Sequence, residues 1–97
     1  MSGIQWREIG DKDFHAKYKG NIILGKPHGF GTIIYPDRNR YHGEWLNGLF
    51  HGQGMYSISD KYFYTGDYKL GFLWNGTIKR KDGTIVYKVI NWKKIKQ

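Results

Sequence analysis

The sequence predicts an all-β protein, an elongated single-layer antiparallel sheet of stacked β-hairpins, and three observations predict it. The chain lines up with itself at a spacing of 23 residues, which puts Tyr18, Tyr41, Tyr64 and Tyr87 in one column, three of them with a glycine two places on. In the second copy Tyr41, Gly43 and Trp45 alternate with His42, Glu44 and Leu46, the period of a strand with two unlike faces. The copies are interrupted by Leu24-Gly25, Asn47-Gly48 and Leu70-Gly71, where a glycine supplies the positive φ that a two-residue hairpin turn demands.

Taken in order, residues 1–17 read as an N-terminal capping segment, with Ile4, Trp6 and Ile9 as a leading strand and Phe14 laid over the first repeat. The first copy, 18–40, carries Tyr18-Lys19-Gly20, Leu24-Gly25, His28-Gly29-Phe30-Gly31 and Tyr35-Pro36-Asp37. The second, 41–63, answers with Tyr41-His42-Gly43-Glu44-Trp45, Asn47-Gly48 and His51-Gly52-Gln53-Gly54, and Gly52 to Ile58 supply the returning strand. Pro36-Asp37-Arg38-Asn39 and Ser59-Asp60-Lys61 are loops that lead to the next hairpin. The third, 64–86, begins as Tyr64-Thr65-Gly66-Asp67-Tyr68 and loosens to Trp74-Asn75-Gly76-Thr77 where His-Gly-x-Gly is expected. A partial copy, 87–92, has lost the glycines and reads as a terminal cap, followed by a basic tail, 93–97. Asn91 to Lys96 is too short a run to decide between a strand and a helical turn.

Fixed-period self-similarity of this kind marks a quasi-one-dimensional array in which no unit hides its apolar face alone. The chain has 97 residues, of which 17 are aromatic and 14 glycine. A residue without Cβ lets a flat ring lie across backbone, so these columns are first of all packing features. Cysteine is absent, which removes disulfides and thiolate metal sites. No apolar run approaches the roughly 18–20 residues of a membrane-spanning helix and Met1 to Glu8 lacks a signal-peptide core, so the expectation is a cytoplasmic protein. The formal charge of +8 is concentrated at one end: Lys79, Arg80, Lys81, Lys88, Lys93, Lys94 and Lys96 face Asp82 alone beyond residue 78.

Tyr-x-Gly-x-Trp, x-x-Gly and His-Gly-x-Gly together resemble the MORN (membrane occupation and recognition nexus) repeat over residues 18 to 92. The resemblance implies a hairpin array that serves protein–protein contact, self-association or attachment beneath a membrane, with no chemistry of its own. Departures from the pattern are Ile22 and Tyr68 where Trp45 stands, and the broken glycine spacing of the third copy.

The inventory of three serines, no cysteine and loop carboxylates offers no catalytic pair or triad, so no enzyme, cofactor or small-molecule substrate is expected. His28 and His51 share a column in which two imidazoles could share a metal; holding a turn by hydrogen bonding is the favoured role. Gly29/Gly31 and Gly52/Gly54 lack the helix and Lys-Ser/Thr of a phosphate loop. The aromatic face of Tyr41, Trp45, Phe50, Tyr62, Tyr64, Tyr68, Phe72 and Trp74 exceeds what a single layer can bury, which predicts a protein-binding module. Its partner would be acidic, steered by the cationic end, and self-pairing through the same face would give a homodimer. The short chain and its composition suit a viral or bacterial inhibitor of a host protein. The alternative is attachment of anionic lipid or nucleic acid to the C-terminal cations, against which stands the role of lysines in protecting an edge strand.

Overall fold

The computed structural model describes residues 7–9 and 16–97, and Ile4, Trp6 and Phe14 lie outside them. Among the described residues there are nine strands: β1 Arg7–Ile9, β2 Ala16–Ile23, β3 Lys26–Ile34, β4 Arg40–Leu46, β5 Leu49–Ile58, β6 Tyr62–Lys69, β7 Phe72–Arg80, β8 Ile85–Ile90 and β9 Lys93–Lys96. They form one antiparallel sheet in sequence order, each pairing only with its chain neighbours. Nine strands at about 4.8 Å account for the length of the molecule, whose extents are 43 × 27 × 23 Å. A flat single layer would be about 10 Å thick, so the 23 Å dimension measures how far the sheet twists and curls.

The turns follow the expected chemistry. Leu24 and Gly25 (φ 52° and 77°), Asn47 and Gly48 (50° and 83°) and Leu70 and Gly71 (53° and 87°) all adopt left-handed conformations, as a hairpin turn matched to strand twist requires. Asn91 and Trp92 (50° and 66°) do the same with no glycine present. They resolve the open C-terminal segment into a fourth hairpin, with β9 paired to β8 from Tyr87↔Lys96 to Ile90↔Lys93.

One row of the sheet explains the repeat. Gly20, Gly31, Gly43, Gly54, Gly66 and Gly76 stand opposite one another from β2 to β7. The third hairpin keeps this ladder although its sequence loosens: Gly76 comes one residue early, and the irregularity moves from Gly43/Trp45 in the second hairpin to Asp67/Tyr68. The row ends at Val89 and Lys94, where side chains replace hydrogen and the ladder stops.

Tyr41, Gly43 and Trp45 are buried while His42 and Leu46 are exposed, so β4 has the two faces its alternation predicts. The buried face carries the core: Ala16, Tyr18, Ile33, Tyr41, Trp45, Tyr68, Leu73, Ile78 and Val89.

Candidate functional site

The core face is built by laying rings across the glycine row. The phenols of Tyr18 and Tyr41 donate to the carbonyls of Asn21 (2.6 Å) and Glu44 (2.8 Å) after crossing the glycine pairs Gly20/Gly31 and Gly43/Gly54. A Cβ on Gly31 or Gly54 would collide with these rings. In the third hairpin the atoms nearest Gly66 and Gly76 are backbone atoms, Tyr64 is only half-buried, and Tyr68 donates to the Tyr64 carbonyl. Edge-on contacts join Tyr18 to Trp45 (5.4 Å), Trp45 to Tyr41 (5.2 Å) and Tyr41 to Tyr68 (5.1 Å), the geometry that ring quadrupoles favour. The Trp45 indole N–H donates to the Gly31 carbonyl at 3.0 Å.

Over this layer runs a groove of two adjoining hollows, about 470 and 630 Å³, both bordered by Tyr35, Phe50, Gly71 and Phe72. The larger continues past Tyr56, Ile58, Tyr64 and Leu73 to Trp92 and Lys94. Burial pushes the phenols of Tyr35, Tyr41, Tyr56 and Tyr68 upward, Tyr35 to about 12, so at neutral pH they are protonated donors. What the groove offers is apolar area with hydroxyl tips and one cation. Among the described residues that line it, none is a nucleophile paired with a base.

The seven aromatic side chains expected to anchor a partner divide three ways. Tyr41, Trp45 and Tyr68 are buried in the core and hold the sheet together, with Trp45 lining the smaller hollow and Tyr68 the larger. Phe50 and Tyr64 are half-buried in the groove, and Phe72, 68 % exposed, forms its wall. Trp74 is pinned elsewhere, with Lys69 Nζ 3.4 Å from its ring centroid and Trp92 6.1 Å away. Tyr62, also on the expected face, is 41 % exposed.

The cationic residues do not converge. Lys94 and Lys96 share the face of Val89 and Tyr87, with Lys94 Nζ 5.7 Å over the Tyr87 ring, whereas Lys88 and Lys93 alternate to the other face. Lys81 lies in the loop after β7, and Lys79 and Arg80 close that strand. His28 performs the turn-holding role, its Nδ1 accepting the Asn47 N–H at 3.5 Å, and Asn75 Oδ1 does the same for the Asn91 N–H at 3.0 Å. His51 contributes its carbonyl, which accepts from Tyr41 at 3.5 Å. Among the described residues no three His, Asp or Glu side chains come together in a group able to hold a metal ion.

A feature that sequence reasoning missed lies along one edge. The four hairpin turns stack there, tied by Gly48 N–H to Pro27 O (2.9 Å), Gly71 N–H to Phe50 O (3.1 Å) and Trp92 N–H to Trp74 O (3.0 Å). Ile23, Leu24, Leu46, Leu49, Leu70, Phe72, Ile90 and Trp92 are all exposed along it. The signal was present: leucine is a poor residue for the left-handed position of a hairpin turn, and the chain uses it twice.

The MORN repeat family matches residues 18–40 and 41–61. Human Alsin is 41 % identical over 56 residues, which cover 58 % of this chain and 3 % of Alsin. An inactive protein tyrosine kinase, pTKL, of Plasmodium berghei (strain Anka) is 34 % identical over 72 residues, 72 % of this chain and 6 % of that protein. The bovine ALS2 C-terminal-like protein is 42 % identical over 40 residues, 41 % of this chain and 4 % of its own length. The chain therefore spans a few per cent of the curated relatives it matches.

Proposed function

This chain belongs to the MORN-repeat family, a family of non-catalytic binding repeats, and on that premise we propose that it is a protein-interaction module whose groove seats a segment of another protein. The observation that carries this reading is the continuous groove, bordered by half-buried rings and ending at Lys94. Rings held in place by a rigid layer beneath them give contact area at little cost in conformational entropy, which is where binding hot spots concentrate. The occupant this lining suits has apolar anchors and an acidic end beside Lys94.

The cationic end supports a polyanion site less well, because its charges are divided between two faces and a loop and long-range fields of scattered lysines are screened within about 10 Å at ordinary salt.

The test is affinity capture from native lysate with the wild-type chain, Phe72→Ser and Lys94→Glu. Phe72→Ser removes groove wall without opening the core, since the side chain is 68 % exposed. One stoichiometric protein, recovered by the wild type, lost with Phe72→Ser and captured more slowly by Lys94→Glu, is the expected result. Equal recovery by all three chains, with circular dichroism unchanged, would remove the groove from consideration.

A further inference from the structure

We propose that Tyr62 is a phosphorylation site: its phenol takes a phosphoryl group from ATP in the active site of a tyrosine kinase, and the phosphotyrosine so formed is held by the Arg80 guanidinium opposite it. The inference is independent of what the groove binds.

Of the eight tyrosines in the chain, Tyr62 alone is exposed. The other seven serve the sheet or the groove. Tyr18, Tyr41 and Tyr68 are buried and donate to backbone carbonyls. Tyr35, Tyr56 and Tyr64 line the larger hollow, and the half-buried Tyr87 ring has Lys94 Nζ 5.7 Å over it. Tyr62 lines neither hollow, and the repeat does not require it, because 23 residues before and after it stand Asn39 and Ile85. A tyrosine that neither packs nor follows the period is where local sequence rules yield to function.

Its surroundings suit a dianion. Tyr62 opens β6 and pairs directly with Arg80, which closes β7. Residues so paired have Cβ atoms about 4.5–5.5 Å apart on one face, which lets two long side chains meet at their tips. Arg80 departs from the repeat too, since Ser57 and Ile34 occupy its column. Lys61 precedes Tyr62, and Lys81, whose N–H donates to the Lys61 carbonyl at 3.1 Å, brings another exposed cation to the same end of the strands. The carboxylates of these two connections are engaged, Asp60 with Arg40 at 3.4 Å and Asp82 with the Thr84 N–H at 2.9 Å. Among the described residues no carboxylate is in ion-pair contact with Arg80, Lys61 or Lys81. A phosphate on Tyr62 would answer that guanidinium with charge-assisted, bidentate hydrogen bonds.

In the transfer the phenol oxygen attacks the γ-phosphorus of ATP, the bond from that phosphorus to the β-phosphate oxygen breaks, and ADP leaves. The phenol proton passes to the catalytic carboxylate of the kinase. Access needs little unfolding, because Tyr62 follows the exposed connection 59–61 and a strand end opens more cheaply than a strand centre. The product adds roughly −1.5 to −2 charge at neutral pH to an end of the strands where cations predominate.

The experiment incubates the folded full chain with ATP, magnesium and a soluble tyrosine kinase domain of broad specificity. Tryptic mass spectrometry maps the phosphate, and phosphorus-31 NMR follows its titration. The expected result is one phosphate, on Tyr62, lost in Tyr62→Phe. In the wild type that phosphate should titrate at about 5.5, below the usual value of about 6, and return to about 6 in Arg80→Gln. Arg80 is exposed, so this substitution leaves the core closed. No incorporation into the folded chain, incorporation undiminished in Tyr62→Phe, or a phosphate that titrates alike with and without Arg80 would each overturn the inference.

Discussion

Gly54 and Gly25 mark the two extremes of what one added carbon does to this sheet. A Cβ on Gly54 would occupy the space of the Tyr41 ring, itself fully buried and fixed by its bond to Glu44 O. Gly54→Ala is expected to cost about 2–3 kcal/mol through overpacking. At Gly25 (φ +77°) nothing lies within 4 Å, and Gly25→Ala should cost only the left-handed backbone term, about 1 kcal/mol. Urea unfolding of the two variants checks the contrast; equal losses would mean that the Tyr41 ring yields to the added carbon and that ring clearance does not set the requirement at Gly54. That rings and glycines belong together is legible in the sequence. Which rings become inaccessible is not, because Tyr18, Trp45, Tyr41 and Tyr68 cover one another edge-on across three hairpins, and the Tyr18–Trp45 and Tyr41–Tyr68 contacts join rings of different repeats.

Among the elements, β9 has the plainest edge chemistry. All four of its residues are exposed and three are lysines, and among the described residues β9 pairs with β8 alone. An exposed strand with free backbone groups pairs with other chains unless charge prevents it. Replacing Lys93, Lys94 and Lys96 together by threonine should convert the chain to concentration-dependent oligomers, detectable by light scattering, with the monomer's circular dichroism retained. A triple variant that stays monomeric would show that the edge is protected by something other than its lysines. Sequence reasoning left this segment open because six residues carry too little periodicity. The structure resolves it through Asn91 and Trp92, whose turn comes two residues early relative to the 23-residue spacing. The third hairpin is the complementary case: its sequence drifts while its Gly66–Gly76 pair persists, since pairing across strands can absorb a one-residue slip with a moved bulge.

On the scale of the whole molecule, the buried phenols tie stability to alkaline pH. Tyr35, Tyr41, Tyr56 and Tyr68 all titrate higher in the folded chain than the ordinary value near 10, chiefly because burial penalises phenolate. Below pH 10 both folded and unfolded chains keep these protons and the stabilisation is complete. Above it the unfolded chain releases protons that the folded chain retains, so stability falls as pH rises toward the folded values. The thermal midpoint should be nearly flat from pH 7 to 9 and drop by roughly 5–10 °C between pH 10 and 11.5. A midpoint unchanged across that upper window would mean that the tyrosine layer opens to water without loss of fold.

The sequence by itself determined the architecture: a 23-residue period, a strand with two unlike faces and left-handed turn residues admit little except stacked antiparallel hairpins, because each rule is local and repeats. It also determined that glycine and ring must meet. Only the tertiary structure decided which side of that partnership faces water. The curl of the sheet draws Tyr41, Trp45 and Tyr68 into one buried layer and leaves Phe50, Tyr64 and Phe72 along a groove. The stacking of turns at one edge assembles leucines 46 residues apart in sequence, Leu24 and Leu70, into one apolar line. Those are relations between repeats, set by twist and register, and no single repeat contains them.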